Sequence, residues 1–145
     1  MILTNDYIRG LIEGEGCFSF CNVPLKNGQS MKPRLPTFTI TMNERDGDLI
    51  EAVRNHLNIK TRMYRLGPYR KDGHNRGAIV RLMVRDLGTL KNTIVPFFYK
   101  RLYGHKGIQF EEWLENIGRD TNVPKNYKVI WRLYKSGYYD KNPKF

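Results

Sequence analysis

The chain has 145 residues, enough for one domain with a single core and short for two. Lys and Arg number 25 against 14 Asp and Glu, a formal net charge of +11, which calls for a polyanionic partner: nucleic acid or an anionic membrane surface. No apolar run approaches the roughly 20 residues of a membrane span, and Met1 to Thr4 lacks the charged-then-apolar pattern of a signal peptide.

Taken from the N-terminus, Thr4 or Asn5 caps a first helix, with Asp6 early in it where the helix dipole favours an acid. This helix carries Tyr7, Ile8, Leu11 and Ile12 and stops near Gly16. Two features in it are costly. Gly10 and Gly14 stand one turn apart inside it, and an internal glycine costs roughly 1 kcal/mol relative to alanine. Glu13 and Glu15 stand in its last turn, where the dipole is already negative. A second backbone packed on the glycines and a cation beside the acids would offset both.

From Cys17 to Val23 the pattern alternates, with Phe18 and Phe20 on one face and Cys17, Ser19 and Cys21 on the other. The two cysteines, on one short strand four residues apart, are too distant to bridge without distortion; no histidine stands beside them to make a zinc site. Reduced thiols in an intracellular protein are therefore expected, in a prokaryotic cytoplasm or an organelle. Lys26-Asn27-Gly28-Gln29 reads as a turn, and Thr37 to Met42 as a returning strand with Phe38, Ile40 and Met42 inward and Thr37, Thr39 and Thr41 outward.

Asp46 to Leu57 has helical spacing. A second hairpin, Thr61 to Tyr69 and Ala78 to Arg85, flanks a tip at Lys71-Asp72-Gly73-His74-Asn75. Asp86 or Thr89 caps a short helix through Val95, which Pro96 interrupts. Lys106 to Ile117 is amphipathic; a loop follows Gly118, then a last helix from Lys125 to Lys135 and a frayed tail from Ser136. Trp113 and Trp131 share helical spacing with other apolar residues and read as core.

The run Ile8 to Gly16, I-R-G-L-I-E-G-E-G, followed by Cys17-Phe18, resembles the signature of the LAGLIDADG family of homing endonucleases. Gly10 and Leu11-Ile12 match directly, Glu13 and Glu15 stand for the two acids, and Arg9 departs from the pattern. The element order extends the resemblance over about the first 118 residues. It implies an α+β fold: an αββαββα half-unit with a curved four-stranded antiparallel DNA-binding sheet backed by helices, plus a C-terminal helix. One domain is expected over 1–145, with its core at about 1–118 and helix and tail at 119–145.

With one copy of the motif, the natural partner is a second copy of the chain, paired through Gly10, Glu13 and Gly14. Two Glu15 carboxylates would then meet, and a divalent cation, Mg²⁺ or another such as Mn²⁺, would relieve their repulsion. The resemblance implies that Glu15 and the Gly14 carbonyl hold the metal. It also implies that Lys106 lies near the scissile phosphate, where the other reading is an ordinary surface lysine. The family's polar residue near the end of the second strand is here Met42, followed by Asn43, so the water-positioning role has no clear holder.

The implied activity is metal-dependent hydrolysis of double-stranded DNA at a long pseudo-palindromic site, by a homodimer commonly encoded within an intron. The alternative is an RNA maturase acting on intron RNA, or a relative that binds DNA without cutting it. DNA contacts are expected from the open face of the first hairpin (Ser19, Cys21, Thr39, Thr41) and its tip (Lys26, Asn27, Gln29, Lys32, Arg34). The second hairpin adds Arg62, Tyr64, Arg65, Arg70, Lys71, Arg76 and Arg81, with Arg62 against Arg65 left open by the unclear strand parity. A membrane role is disfavoured because the basic residues fall on strands and turns rather than on one helix face.

Overall fold

The computed structural model describes residues 1–28, 32–71 and 74–145, with the backbone alone for 69–71 and 74–76. Helix α1 (Asn5–Glu15) is capped by Thr4, whose Oγ1 accepts from the Tyr7 N–H at 3.1 Å. Ile8 and Ile12, one turn apart, are fully buried. Strand β1 (Gly16–Asn22) follows without a loop and pairs antiparallel with β2 (Arg34–Asn43). β2 begins earlier than Thr37 because Arg34 and Leu35 still find partners in Asn22 and Cys21.

A 3₁₀ turn (Glu44–Asp46) leads into α2 (Gly47–His56), which buries Ile50 and Val53. The second hairpin is split. Only β3 (Tyr64–Leu66) and β6 (Ile79–Val84) join the main sheet, while β4 (Tyr69–Lys71) and β5 (His74–Arg76) form a separate ribbon. Gly67 and Pro68 interrupt the outgoing arm, since proline has no N–H for a ladder. The main sheet has the order β1-β2-β6-β3, with every pair antiparallel.

One face of this sheet carries Phe18, Phe38, Ile40, Leu82 and Val84 into the core. Helix α1 packs on β1 and β2, and α2 packs on β2 and β6. The chain continues through α3 (Leu87–Thr89), capped by the Asp86 carboxylate, into a wider π turn over Leu90–Ile94 and then α4 (Val95–Phe98). Pro96 was expected to interrupt this helix. It does not: it sits in the first turn of α4, and the Asn92 carbonyl, which a proline nitrogen cannot serve, accepts from Lys144 Nζ at 2.9 Å.

Helix α5 (His105–Arg119) packs on α1 and β1. Phe18 is the centre of an aromatic cluster, with ring centroids 4.8 Å from Phe110, 5.4 Å from Trp113 and 5.6 Å from Phe98. The Trp113 indole N–H donates to the Ser19 carbonyl at 2.7 Å, so the core tryptophan also fixes β1. α5 runs past Gly118, its expected end, because that glycine is pressed against the Trp131 indole of α6 (Lys128–Lys135).

The tail is ordered rather than frayed. Helix α7 (Tyr138–Lys141) buries Tyr139, whose hydroxyl donates to the Lys91 carbonyl at 3.1 Å, and the Phe145 ring packs 5.3 Å from Phe97. No described helix is long and apolar enough to cross a membrane. Both cysteines are free thiols.

Candidate nucleic-acid interface and acidic site

Three segments distant in sequence converge at the C-terminal end of α1. The Glu13 carboxylate accepts from the Tyr103 N–H at 2.8 Å and from the Gly104 N–H at 3.1 and 3.2 Å. It thereby holds the residues that lead into α5, whose first N–H groups favour a nearby anion. Lys106, in the first turn of α5, donates from Nζ to the Gly16 carbonyl at 2.5 Å. Glu13, expected at a seam between two chains, thus has its carboxylate engaged within its own chain.

Glu15 is different. It ends α1, is exposed, and makes no hydrogen bond or ion pair with any described residue. Gly10 and Gly14 line the same helix, and a Cβ built on either would meet nothing within 4 Å. The glycines therefore answer no need of the folded single chain. Arg9, between these features, is turned inward: its Nε donates to the Phe97 carbonyl at 3.0 Å and its guanidinium lies 4.5 Å from the Phe97 ring centroid. That burial explains how an arginine is accommodated in an otherwise apolar helix.

Among the described residues no group of three or more His, Cys, Asp or Glu side chains forms a ready cation cage. One chain offers a carboxylate (Glu15) and a neighbouring carbonyl (Gly14), hard oxygen donors of the right class for Mg²⁺ but fewer than its octahedral shell requires. They fit such an ion as half of a shared site.

The open face of the main sheet carries Cys17, Ser19 and Cys21 of β1, Thr39 and Thr41 of β2, Arg81 and Met83 of β6, and Tyr64 of β3. Thr37 shares that face by parity yet is only 1% exposed, its hydroxyl donating to the Leu35 carbonyl at 2.9 Å. Arg85, just past β6, reaches across β2 to within 3.7 Å of Cys21 Sγ on β1.

The register also separates Arg62 from Arg65. Arg65 is opposite Val80, on the parity opposed to Tyr64 and Arg81, and pairs with Glu44 at 2.9 Å. Arg62 is exposed beside Tyr64 and Met83. Arg34 likewise turns from the open face: its guanidinium stacks 4.9 Å from the Phe20 ring and pairs with Asp120. Lys26, Asn27 and Lys32 are exposed around the first hairpin's tip, and Gln29 lies outside the described residues. Arg70, Lys71 and Arg76 fall in the β4–β5 ribbon, where the backbone alone is described. Met42 packs against the core, and Asn43 spends its Oδ1 on the Arg45 N–H at 3.0 Å, closing the 3₁₀ turn.

Spacing did not disclose the two backbone amides at Tyr103 and Gly104, because backbone donors leave no mark on composition. The helix-initiating glycine before His105-Lys106 was the available signal. In the last helix, Lys128 donates to the Ile117, Gly118 and Asp120 carbonyls at 3.2, 3.0 and 2.9 Å, serving the open end of α5. Lys135 pairs with Glu115 and holds that carboxyl below its ordinary value. The charges of this helix are thus partly committed to the fold.

A single open antiparallel sheet with helices on one face, a basic and hydroxyl-rich opposite face, and a lone acid at the end of a glycine-striped helix define a mixed α/β protein of the LAGLIDADG type. Residues 8–117 match the family described as LAGLIDADG endonuclease, and the chain belongs to that family. Three solved structures share the fold. The I-LtrWI LAGLIDADG homing endonuclease bound to target DNA is 21% identical, with a TM-score of 0.63, over 87% of this chain and 41% of its own. The homing endonuclease I-TnaI is 23% identical, with a TM-score of 0.60, over 94% of this chain and 99% of its own. The group I intron-encoded homing endonuclease I-CeuI, complexed with DNA, is 14% identical, with a TM-score of 0.61, over 97% of this chain and 60% of its own. The chain thus spans less than half of the I-LtrWI chain and nearly all of the I-TnaI chain. No curated protein matches the sequence.

Proposed function

We propose that the protein is a homing endonuclease that makes double-strand breaks in a long pseudo-palindromic DNA site as a homodimer with bound divalent metal. The observation that carries this reading is Glu15, an exposed carboxylate without a partner among the described residues, at the foot of a bare glycine strip. A two-fold pairing of α1 through Gly10 and Gly14 would set two such acids side by side. A Mg²⁺ or Mn²⁺ ion held there by Glu15 and the Gly14 carbonyl would activate water and neutralise phosphate charge. Lys106 would supply a fixed cation beside the scissile phosphate, and the net charge of +11 would draw the duplex to the sheet.

The family membership and the DNA carried by the I-LtrWI and I-CeuI structures support the same reading. The test is to incubate the purified chain with its own coding locus joined without the intron, with and without Mg²⁺. Metal-dependent cutting is expected, lost in Glu15→Gln while binding survives. Equal cutting by Glu15→Gln overturns the metal assignment. Binding to intron RNA alone, with no cutting of DNA, replaces the reading with that of a maturase.

A further inference from the structure

The loop that joins α5 to α6, residues 120–127, is fastened to the outer end of the sheet. At the start of β2, the Arg34 N–H donates to the Asn122 carbonyl at 2.9 Å, and the Arg34 guanidinium pairs with the Asp120 carboxylate. Just past β6, the Arg85 carbonyl accepts from the Tyr127 hydroxyl at 2.6 Å. Between these ties, Val123 is buried in the core. The loop is thus a fixed ledge beside the open face, since the Arg85 side chain reaches Cys21 on that face.

The free charge on this ledge has one sign. Its own acid, Asp120, is spent on Arg34, and Asp86, next to Arg85, accepts from the Thr89 N–H at 3.0 Å to cap α3. Lys125 is exposed and makes no hydrogen bond or ion pair with any described residue. Thr121 and Asn126, also exposed, add a hydroxyl and a carboxamide without partners among the described residues. Lysine, threonine and asparagine side chains commonly hold phosphate oxygens. A ledge already ordered by the fold loses little backbone entropy when they do so.

Position decides which phosphates are in reach. Arg34 stands opposite Asn22 at one end of the β1–β2 ladder, and Glu15 directly precedes Gly16 at the other. The strand between them places these ends about 20 Å apart, too far for a side chain of the ledge to reach a phosphate beside Glu15. We infer that Lys125, with Thr121 and Asn126, grips the duplex backbone at the outer flank of each half-site, beyond the base pairs that the sheet covers. The inference rests on the DNA-cleaving reading and goes beyond it by giving the α5–α6 loop a separate, sequence-independent contact.

The test is binding of the full chain to its coding locus joined without the intron, across a range of salt and in EDTA, so that binding is read without cleavage. Lys125→Gln should make the fall of log affinity with log salt shallower by about 1 for each chain bound. It should weaken single-base variants of the site by the same factor as the site itself, because a phosphate carries no sequence. Lys125→Arg should restore the parent's behaviour. Hydroxyl-radical footprints of Lys125→Gln should lose protection at the two outer flanks alone. On a duplex trimmed of those flanks, Lys125→Gln and the parent should bind equally. Both variants change an exposed position, and an unchanged thermal midpoint confirms that they fold. A Lys125→Gln chain with the parent's salt dependence and footprint overturns the inference while leaving the DNA-cleaving reading in place. A difference that persists on the trimmed duplex also overturns it, because Lys125 then acts elsewhere than at the flank. A parent chain that binds no duplex overturns the inference and the DNA reading together.

Discussion

The ammonium of Lys106 lies 2.5 Å from the carbonyl oxygen of Gly16, a contact between residues ninety positions apart. It joins the start of α5 to the end of α1, where a cation is favoured by the helix dipole and by unsatisfied carbonyls. It also fixes a positive charge one residue from Glu15. Structure and proposed chemistry therefore make separable demands on Lys106. Lys106→Met keeps most of the apolar stem and removes the charge. Single-turnover cleavage by this variant should fall on the order of a hundredfold or more, with duplex affinity measured by fluorescence anisotropy little changed. Full cleavage by Lys106→Met would leave Lys106 a purely structural tie.

Gly10 and Gly14 report on the seam. Because an added Cβ at either meets nothing within 4 Å, Gly10→Leu and Gly14→Leu should not destabilise the isolated chain. Relief of the glycine penalty, about 1 kcal/mol per site, should even raise its urea midpoint. In the proposed dimer the same side chains would force two helices apart. Sedimentation should show monomers, and cleavage should disappear. A dimer that persists in the double variant would place the contact elsewhere.

Gly118→Ala should act in the opposite direction. It too is a helical glycine, so propensity alone favours alanine, but the new Cβ would stand 2.5 Å from three atoms of the Trp131 ring. The clash falls on Cγ, Cδ1 and Cδ2, at the base of the indole, rather than on the far end of a flexible side chain. Overpacking at about 1–3 kcal/mol exceeds the propensity gain of about 1 kcal/mol. Chemical denaturation should therefore show a net loss of stability, and tryptophan fluorescence should report the displaced indole.

Acidification should loosen the tail. Hydrogen bonds from Lys100 Nζ at 2.7 Å and the Tyr99 hydroxyl at 2.9 Å hold the Asp140 carboxyl below its ordinary value near 3.8. A carboxyl lowered by folding contributes stability above its unfolded value and loses it as pH falls through the folded one. The stability difference between the chain and Asp140→Asn should be present at pH 7 and diminish as pH falls below about 4. Urea unfolding of both proteins from pH 7 downward measures it, and a difference that does not shrink below about pH 4 would contradict the assignment.

Residue pattern alone was enough for the local elements of this protein. The cap at Thr4, the alternation of Phe18, Phe38, Ile40 and Leu82, and the spacing of Trp113 and Leu114 depend on near neighbours and on periodicity, which a linear sequence records in full. The glycine-and-acid run at residues 8–16 carried the family for the same reason. Which partner each charge takes was decided only by tertiary structure, because that depends on surfaces brought together across the chain. Arg34 and Arg65, alike in sequence to the arginines of the open face, go to Asp120 and Glu44. Glu13 goes to two amides beyond residue 100, while the Glu15 carboxylate finds no partner among the described residues. Pro96 and the tail differ from the sequence reading on the same ground: Lys144, Tyr139 and Phe145 fold back to satisfy carbonyls and cover rings that the local pattern could only leave exposed.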